Sequence, residues 1–250
     1  MVRAHAGELE TDQGTVDLLW GLREPSTRGP RPGLTIDGIA RAAMAIADAD
    51  GLDALSMQRV AASLDVTKMA LYRYVAGKAE LSAVMIELAV GEPPSLVGVP
   101  GGWRARLEEF VRRLAEVWHE HPWLPWATLG DRVMGPRELG WVESAVRTLA
   151  GTPLTGAERL DAVFVVFGHI RNTQSMATAG TQPWTTDKRL NPTMRRLLLQ
   201  RGSDHPALTN AFASLDANVP ADNGRSFGLC RLLDGLQLLI DQRGGATPTD

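Results

Sequence analysis

"SMQRVAASLDVTKMALYRYV", residues 56–75, is the stretch on which the fold turns. Ser56 is a natural helix N-cap, and Met57, Val60, Ala61 and Leu64 then recur at the spacing of one helical face. After a turn of about three residues Thr67 offers a second cap, opening a helix that can turn Val66, Leu71 and Val75 into a core. Lys68 and Tyr72 lie four apart, as do Met69 and Arg73, so these four form a continuous strip on the open side. Two short helices joined by a tight turn, the second with one inward side, make a helix-turn-helix. In that motif the second helix puts its outer face into the DNA major groove. Tyrosine suits such a strip, because its ring packs on sugar or a thymine methyl while its hydroxyl bonds phosphate.

Upstream, Thr35 is a plausible N-cap before Ile36, Ile39, Ala40, Ala43 and Ala47, and Gly51 can close that helix. Downstream, Lys78 starts a fourth helix with Leu81, Val84, Met85 and Leu88 inside. Its cation and the helix N-terminal amides suit a phosphate. Residues 1–33 are expected to be a flexible extension, with a short amphipathic turn at Val16, Leu19 and Trp20. Its Pro/Gly-punctuated part carries Arg28 and Arg31, either as a solvated linker or as an arm in the adjacent minor groove. Residues 34–90 form the DNA-binding domain, 91–102 a linker, 103–243 a C-terminal domain and 244–250 a disordered tail.

That C-terminal domain reads as helices at 103–120, 136–149 with Pro136 in the first turn and Gly151 after the end, Thr155 to about Ala179, 188–201, 206–216 and 224–242. Thr155 and Glu158 make a capping box. Nothing alternates convincingly at period two, so the fold class is all-α.

Composition narrows the function. The chain has 250 residues, 44% hydrophobic, enough for a substantial core, and a net charge of −3. The average conceals a local patch: between Ala54 and Ala79, Arg59, Lys68, Arg73 and Lys78 stand against Asp65 alone. Cys230 is the only cysteine, so no intrachain disulfide and no multi-cysteine metal site can form. With no apolar run of 18 residues and no signal-like N-terminus, a cytoplasmic protein without a membrane partner is expected. No nucleophile elbow, P-loop, dinucleotide fingerprint or zinc-protease motif is present, so no enzyme, cofactor or metal is expected. His119 and His121 point about 200° apart on a helix and cannot converge on a metal there.

The run "GIARAAMAIADADGLDALSMQRVAASLDVTKMALYRYVAGKAEL" (38–81) resembles the DNA-binding domain of the tetracycline-repressor (TetR) family of bacterial transcriptional regulators. The resemblance rests on "A-x-A-x-x-D-G", "S-M-x-x-V-A-x-x-L-x-V" and "L-Y-R-Y-V-x-x-K-x-x-L" and covers about residues 34–90. Weaker likeness to the family's helical C-terminal domain lies in "HPWL" after residue 120 and "FGLCRLLDGLQLLI" at 227–240. The resemblance implies that Gln58, Lys68, Met69 and Tyr72 face DNA, that Tyr74 and Lys78 touch phosphates, and that a homodimer binds a pseudo-palindromic operator and a small-molecule effector; Thr67 and Arg73, beside them, are expected at the DNA too. Two departures are visible: Asp65 stands where the family usually has glycine, and Ala70 replaces a residue often polar, which predicts sparse base readout.

In the C-terminal domain the helix from Thr155 is apolar nearly all round from Leu160 to Phe167, then turns polar. His169 is either a hydrogen-bonded core histidine or, with Asn172, Thr173 and Met176, part of a ligand cavity walled by Trp118, Trp126, Phe164 and Phe167. Such a cavity suits an apolar or aromatic ligand. The last helix carries Leu229, Leu232, Leu236 and Leu239, with Gly228 and Gly235 seven apart, and is the expected dimerisation helix. The rival class is an architectural DNA-binding protein without a ligand; a helical enzyme is the remote one.

Overall fold

Several of the helices begin where a side chain satisfies one of the first free amides. The computed structural model describes residues 13–23, 34–179 (without the side chains of 175–179), 192–214, 222 and 224–244. Among them there is no strand, as the all-α reading expects. A short helix, α1, covers 13–19. Then come α2 (Ile36–Asp50), α3 (Met57–Ser63), α4 (Lys68–Leu71), α5 (Lys78–Val90), α6 (Gly102–Glu120), α7 (Leu124–Ala127) and α8 (Pro136–Thr148). The series closes with α9 (Gly156–Ala179), α10 (Pro192–Arg201), α11 (Pro206–Ala213) and α12 (Arg225–Gly244).

Several expected caps are formed. The Thr35 hydroxyl accepts from the Gly38 N–H at 3.0 Å and that of Ser56 from the Arg59 N–H at 3.2 Å. The capping box is reciprocal: the Thr155 N–H donates to Glu158 at 2.8 Å and the Glu158 N–H donates back at 3.3 Å. Thr67 differs, standing at the N-cap of α4 in extended conformation without a side-chain cap hydrogen bond. Gly151 does not close α8, which ends at Thr148 with Leu149 as its C-cap in helical dihedrals.

Two compact units share the chain, residues 1–151 and 152–250. Residues 91–102 separate the helix-turn-helix from the later helices along the sequence, yet α5 to α8 belong with α2 to α4 in the first unit. The reason is α5, which is buried on several sides, packs on both α2 and α8, and carries buried Glu87. That carboxylate accepts from the N–H groups of Arg137 and Glu138 at 2.8 and 2.9 Å, so it caps α8 from another helix. A Cβ on Gly135 would meet the Glu87 side chain at 2.2 Å, so glycine alone leaves room for that cap. Trp141 donates its indole N–H to the Val90 carbonyl at 3.0 Å, and its ring meets Phe110 edge-on. Ile39, Ala43, Val60, Leu71, Leu81, Met85, Leu107 and Phe110 form the core of this unit.

The second unit is described through α9 to α12. There α9 and α12 pack against each other, with Val163, Val166, Ile170 and Leu233 buried. The extension is not uniformly loose: α1 buries Thr15, and Trp20 donates its indole N–H to the Met134 carbonyl at 3.2 Å.

Candidate nucleic-acid interface

The turn between α3 and α4 sets the angle of the candidate recognition helix. Asp65 has φ 51°, the one positive-φ residue other than glycine among those described. The Asp65 N–H donates to the Ala62 carbonyl at 3.2 Å and the Val66 N–H to the Ala61 carbonyl at 3.0 Å. This is the Schellman pattern of a left-handed helix end, with aspartate in the position glycine normally takes. The departure noted in the sequence is therefore accommodated with the same geometry, at some backbone strain.

Beyond the turn α4 is brief, four residues, and its helical bonding is prolonged by the Tyr74 and Val75 N–H groups donating to the Leu71 carbonyl. Its inner side buries Ala70, Leu71 and Val75. Outward stand Lys68, Met69, Tyr72 and Arg73, with Met69 72% and Tyr72 39% exposed. The Lys68 ammonium lies 5.6 Å from the centroid of the Tyr72 ring, within the range of a cation–π contact. Thr67 and Gln58 are also exposed, Tyr74 is half-buried, and Lys78 is exposed at the start of α5. Of the eight expected positions on these helices, seven are thus exposed and Tyr74 is half-buried. Ala70 is a correction: it points inward, so its lack of a polar group affects packing rather than base reading. Arg28 and Arg31 lie outside the described residues.

Contacts invisible in the sequence tie α2 to the helices that follow the helix-turn-helix. At the end of α2, Asp48 accepts from the Trp123 indole N–H at 2.6 Å, and the Nδ1 of His121 lies 2.9 Å from the same oxygen. His121, read in the sequence only as half of a doubtful metal pair, is thereby joined to α2 at the corner between α6 and α7. No group of three metal-ligating side chains occurs among the described residues.

The expected effector residues are placed unevenly. In the first unit Trp118 is in the core and Trp126 is about half exposed. In the second, Phe167 is half-buried, Asn172 exposed, and Phe164 60% exposed on the same strip as Leu160. The Nε2 of His169 lies 2.9 Å from the Arg225 carbonyl, and the Thr173 hydroxyl donates to the His169 and Ile170 carbonyls at 3.0 and 3.1 Å. Protein groups therefore engage the Nε2 of half-buried His169 and the hydroxyl of buried Thr173. The Met176 side chain lies outside the described residues. On α12, Leu229, Leu232, Leu236 and Leu239 are half-buried and Gly235 is exposed. Gly228 has a reason the sequence did not reveal: a Cβ there would meet the His169 ring of the same chain at 2.2 Å.

Residues 39–85 match the family model described as bacterial regulatory proteins, tetR family, and residues 99–240 match the tetracyclin repressor-like C-terminal domain. The chain belongs to the TetR family. It is a DNA-binding transcriptional regulator. Among its relatives, the HTH-type transcriptional repressor DrrR1 of Streptomyces coeruleorubidus is 35% identical, over 96% of this chain and 93% of that one. An HTH-type transcriptional regulator of Saccharopolyspora erythraea is 27% identical over 86% of each. The fold is that of ActR from Streptomyces coelicolor, solved in complex with (S)-DNPA, with a TM-score of 0.67, 24% identity, and coverage of 83% of this chain and 99% of ActR. No helix among the described residues is long and apolar enough to cross a membrane.

Proposed function

We propose that this chain is a cytoplasmic repressor that binds a pseudo-palindromic operator as a homodimer and releases it when a small apolar or aromatic effector binds the C-terminal domain. The observation that carries the reading is the exposed strip Lys68, Met69, Tyr72 and Arg73, held outward by the buried Ala70, Leu71 and Val75. Two such strips must enter successive major grooves about 34–36 Å apart, so a shift of a few Å on effector binding disrupts the fit. The bonds from Asp48 to the corner of α6 and α7, and from Glu87 to α8, support a shift of the first unit as a body.

The dimer reading draws on the apolar residues that one chain leaves exposed: Leu160, Phe164 and Val165 on α9, Phe227 and Leu238 on α12. Large apolar side chains left exposed along two packed helices suit an interface, and the pair α9 and α12 against its symmetry mate makes a four-helix bundle. Phe164 suits that seam better than a cavity wall. The effector is assigned to the C-terminal domain on the strength of the family match and the ActR complex with (S)-DNPA. Phe167 and Asn172 are the positions at which to test it, since Phe167→Ala and Asn172→Leu should lower the thermal stabilisation given by the best hit of a small-molecule screen.

The DNA arm is tested by two variants on one operator. Tyr72→Ala should weaken operator binding by about 1–3 kcal/mol, the scale of one good groove contact. Lys78→Ala should weaken every sequence alike and reduce the salt slope by about one unit. A Lys78→Ala protein with unchanged affinity and salt slope removes its phosphate role.

A further inference from the structure

Residues 13–23 lie outside both family-model matches, yet they are folded against the DNA-binding helices. Thr15 is buried, Trp20 is tied to the Met134 carbonyl, and Leu18 and Leu19 border a groove of about 290 Å³ whose other walls include Ile36, Val84 and Leu88. Just past α1, Arg23 turns back. Its guanidinium donates to the Gly14 carbonyl at 3.0 Å, to the Tyr74 carbonyl at 3.3 Å, and to the Glu80 carboxylate. The Glu80 side chain is only 3% exposed, and its other oxygen accepts from the Ala76 N–H. The segment between Tyr74 and Glu80, which carries Lys78, is thus closed from inside by Glu80 and from outside by Arg23.

We propose that Arg23 is a positioning residue for DNA binding, neutralising Glu80 and holding the Tyr74–Lys78 turn in its phosphate-binding form; this rests on the DNA-binding reading above. A buried carboxylate two residues from Lys78 is poorly screened and repels an approaching phosphate unless a cation balances it. Arg23 supplies that cation. Its bond to the Tyr74 carbonyl also fixes the backbone from which Tyr74 and Lys78 project. No base is read by this arrangement, so its loss acts on all sequences alike.

The test uses the full chain, a duplex recovered from a random pool by the wild-type protein, and an unrelated duplex, with binding followed by fluorescence anisotropy across a salt series. Arg23→Gln should weaken both duplexes about tenfold and leave the ratio between them unchanged. Arg23→Lys should recover most of that loss. Glu80→Gln, which removes the charge that Arg23 balances, should bind at least as tightly as wild type, and Arg23→Gln with Glu80→Gln should return to within about threefold of it. Circular dichroism melts check that each variant is folded, and Glu80→Gln carries the test if Arg23→Gln does not fold. Wild-type affinity in Arg23→Gln, a changed ratio between duplexes, or weakened binding in a folded Glu80→Gln would each overturn the inference. A wild-type chain that recovers no duplex instead overturns the DNA-binding reading itself.

Discussion

Replacing Gly228 by alanine should destabilise the protein even though alanine is the better helix former. The methyl adds at most about 1 kcal/mol of helix propensity, since Gly228 lies in the first turn of α12. Against that, its carbon would lie 2.2 Å from one ring carbon of His169 and 2.8 and 2.9 Å from the two ring nitrogens. The ring cannot swing aside freely, because its Nε2 lies 2.9 Å from the Arg225 carbonyl, and since a carbonyl only accepts, Nε2 must carry the proton. Forcing a methyl into such a contact costs about 1–3 kcal/mol, and breaking the hydrogen bond costs about 1 kcal/mol more. The net expectation is a loss of about 1–3 kcal/mol. In a His169→Ala background the obstacle is gone, and Gly228→Ala should then stabilise by about 0.5–1 kcal/mol. Urea unfolding of the four proteins in this cycle, at one fixed protein concentration, measures both signs. A Gly228→Ala protein as stable as wild type with His169 intact would refute the reasoning.

Asp65→Gly should raise stability by about 0.5–1 kcal/mol by relieving the left-handed residue, whereas Asp65→Val should lower it by about 1–2 kcal/mol; thermal melts that rank the two the other way would remove the strain from the turn. Gly235→Leu projects a side chain from the exposed face of α12 and should give monomers that bind DNA poorly, with an intact dimer in sedimentation the contrary result. Glu158 is held below the ordinary carboxylate range, first by the Thr155 N–H, then by the Thr155 hydroxyl, with Arg243 adding to it. A depressed carboxylate stabilises the fold above its unfolded pKa, and that contribution is lost as pH falls through the folded value. The melting temperature of Glu158→Gln should therefore lie below wild type at neutral pH, with the gap closing in acid; a gap independent of pH would contradict the ion's role.

What was legible in the sequence was what neighbours along the chain decide. The caps at Thr35 and Ser56, the capping box at Thr155 and the inward sides of α2, α3 and α6 depend on residues within a turn or two of each other. The recognition strip was legible for the same reason. Ala70 was misjudged because α4 is so short that a family comparison could not say which way it faces. The contacts that hold the surface in place were not legible, because each joins residues far apart in sequence: Asp48 with Trp123, Glu87 with the start of α8, Arg23 with Glu80. Glycine was the weakest signal. Gly228 and Gly235 look alike seven residues apart, yet one makes room for a histidine of its own chain and the other has open space above it.

The most direct test of the account is to let the full-length protein select duplexes from a random pool, with and without the effector identified by thermal stabilisation. The expected result is an enriched inverted repeat with half-sites about one helical turn, or a multiple of it, apart, lost when Tyr72 is replaced by alanine and released by the effector. Enrichment of no common sequence by the wild-type protein, or the same repeat recovered undiminished by the Tyr72→Ala protein, would contradict it.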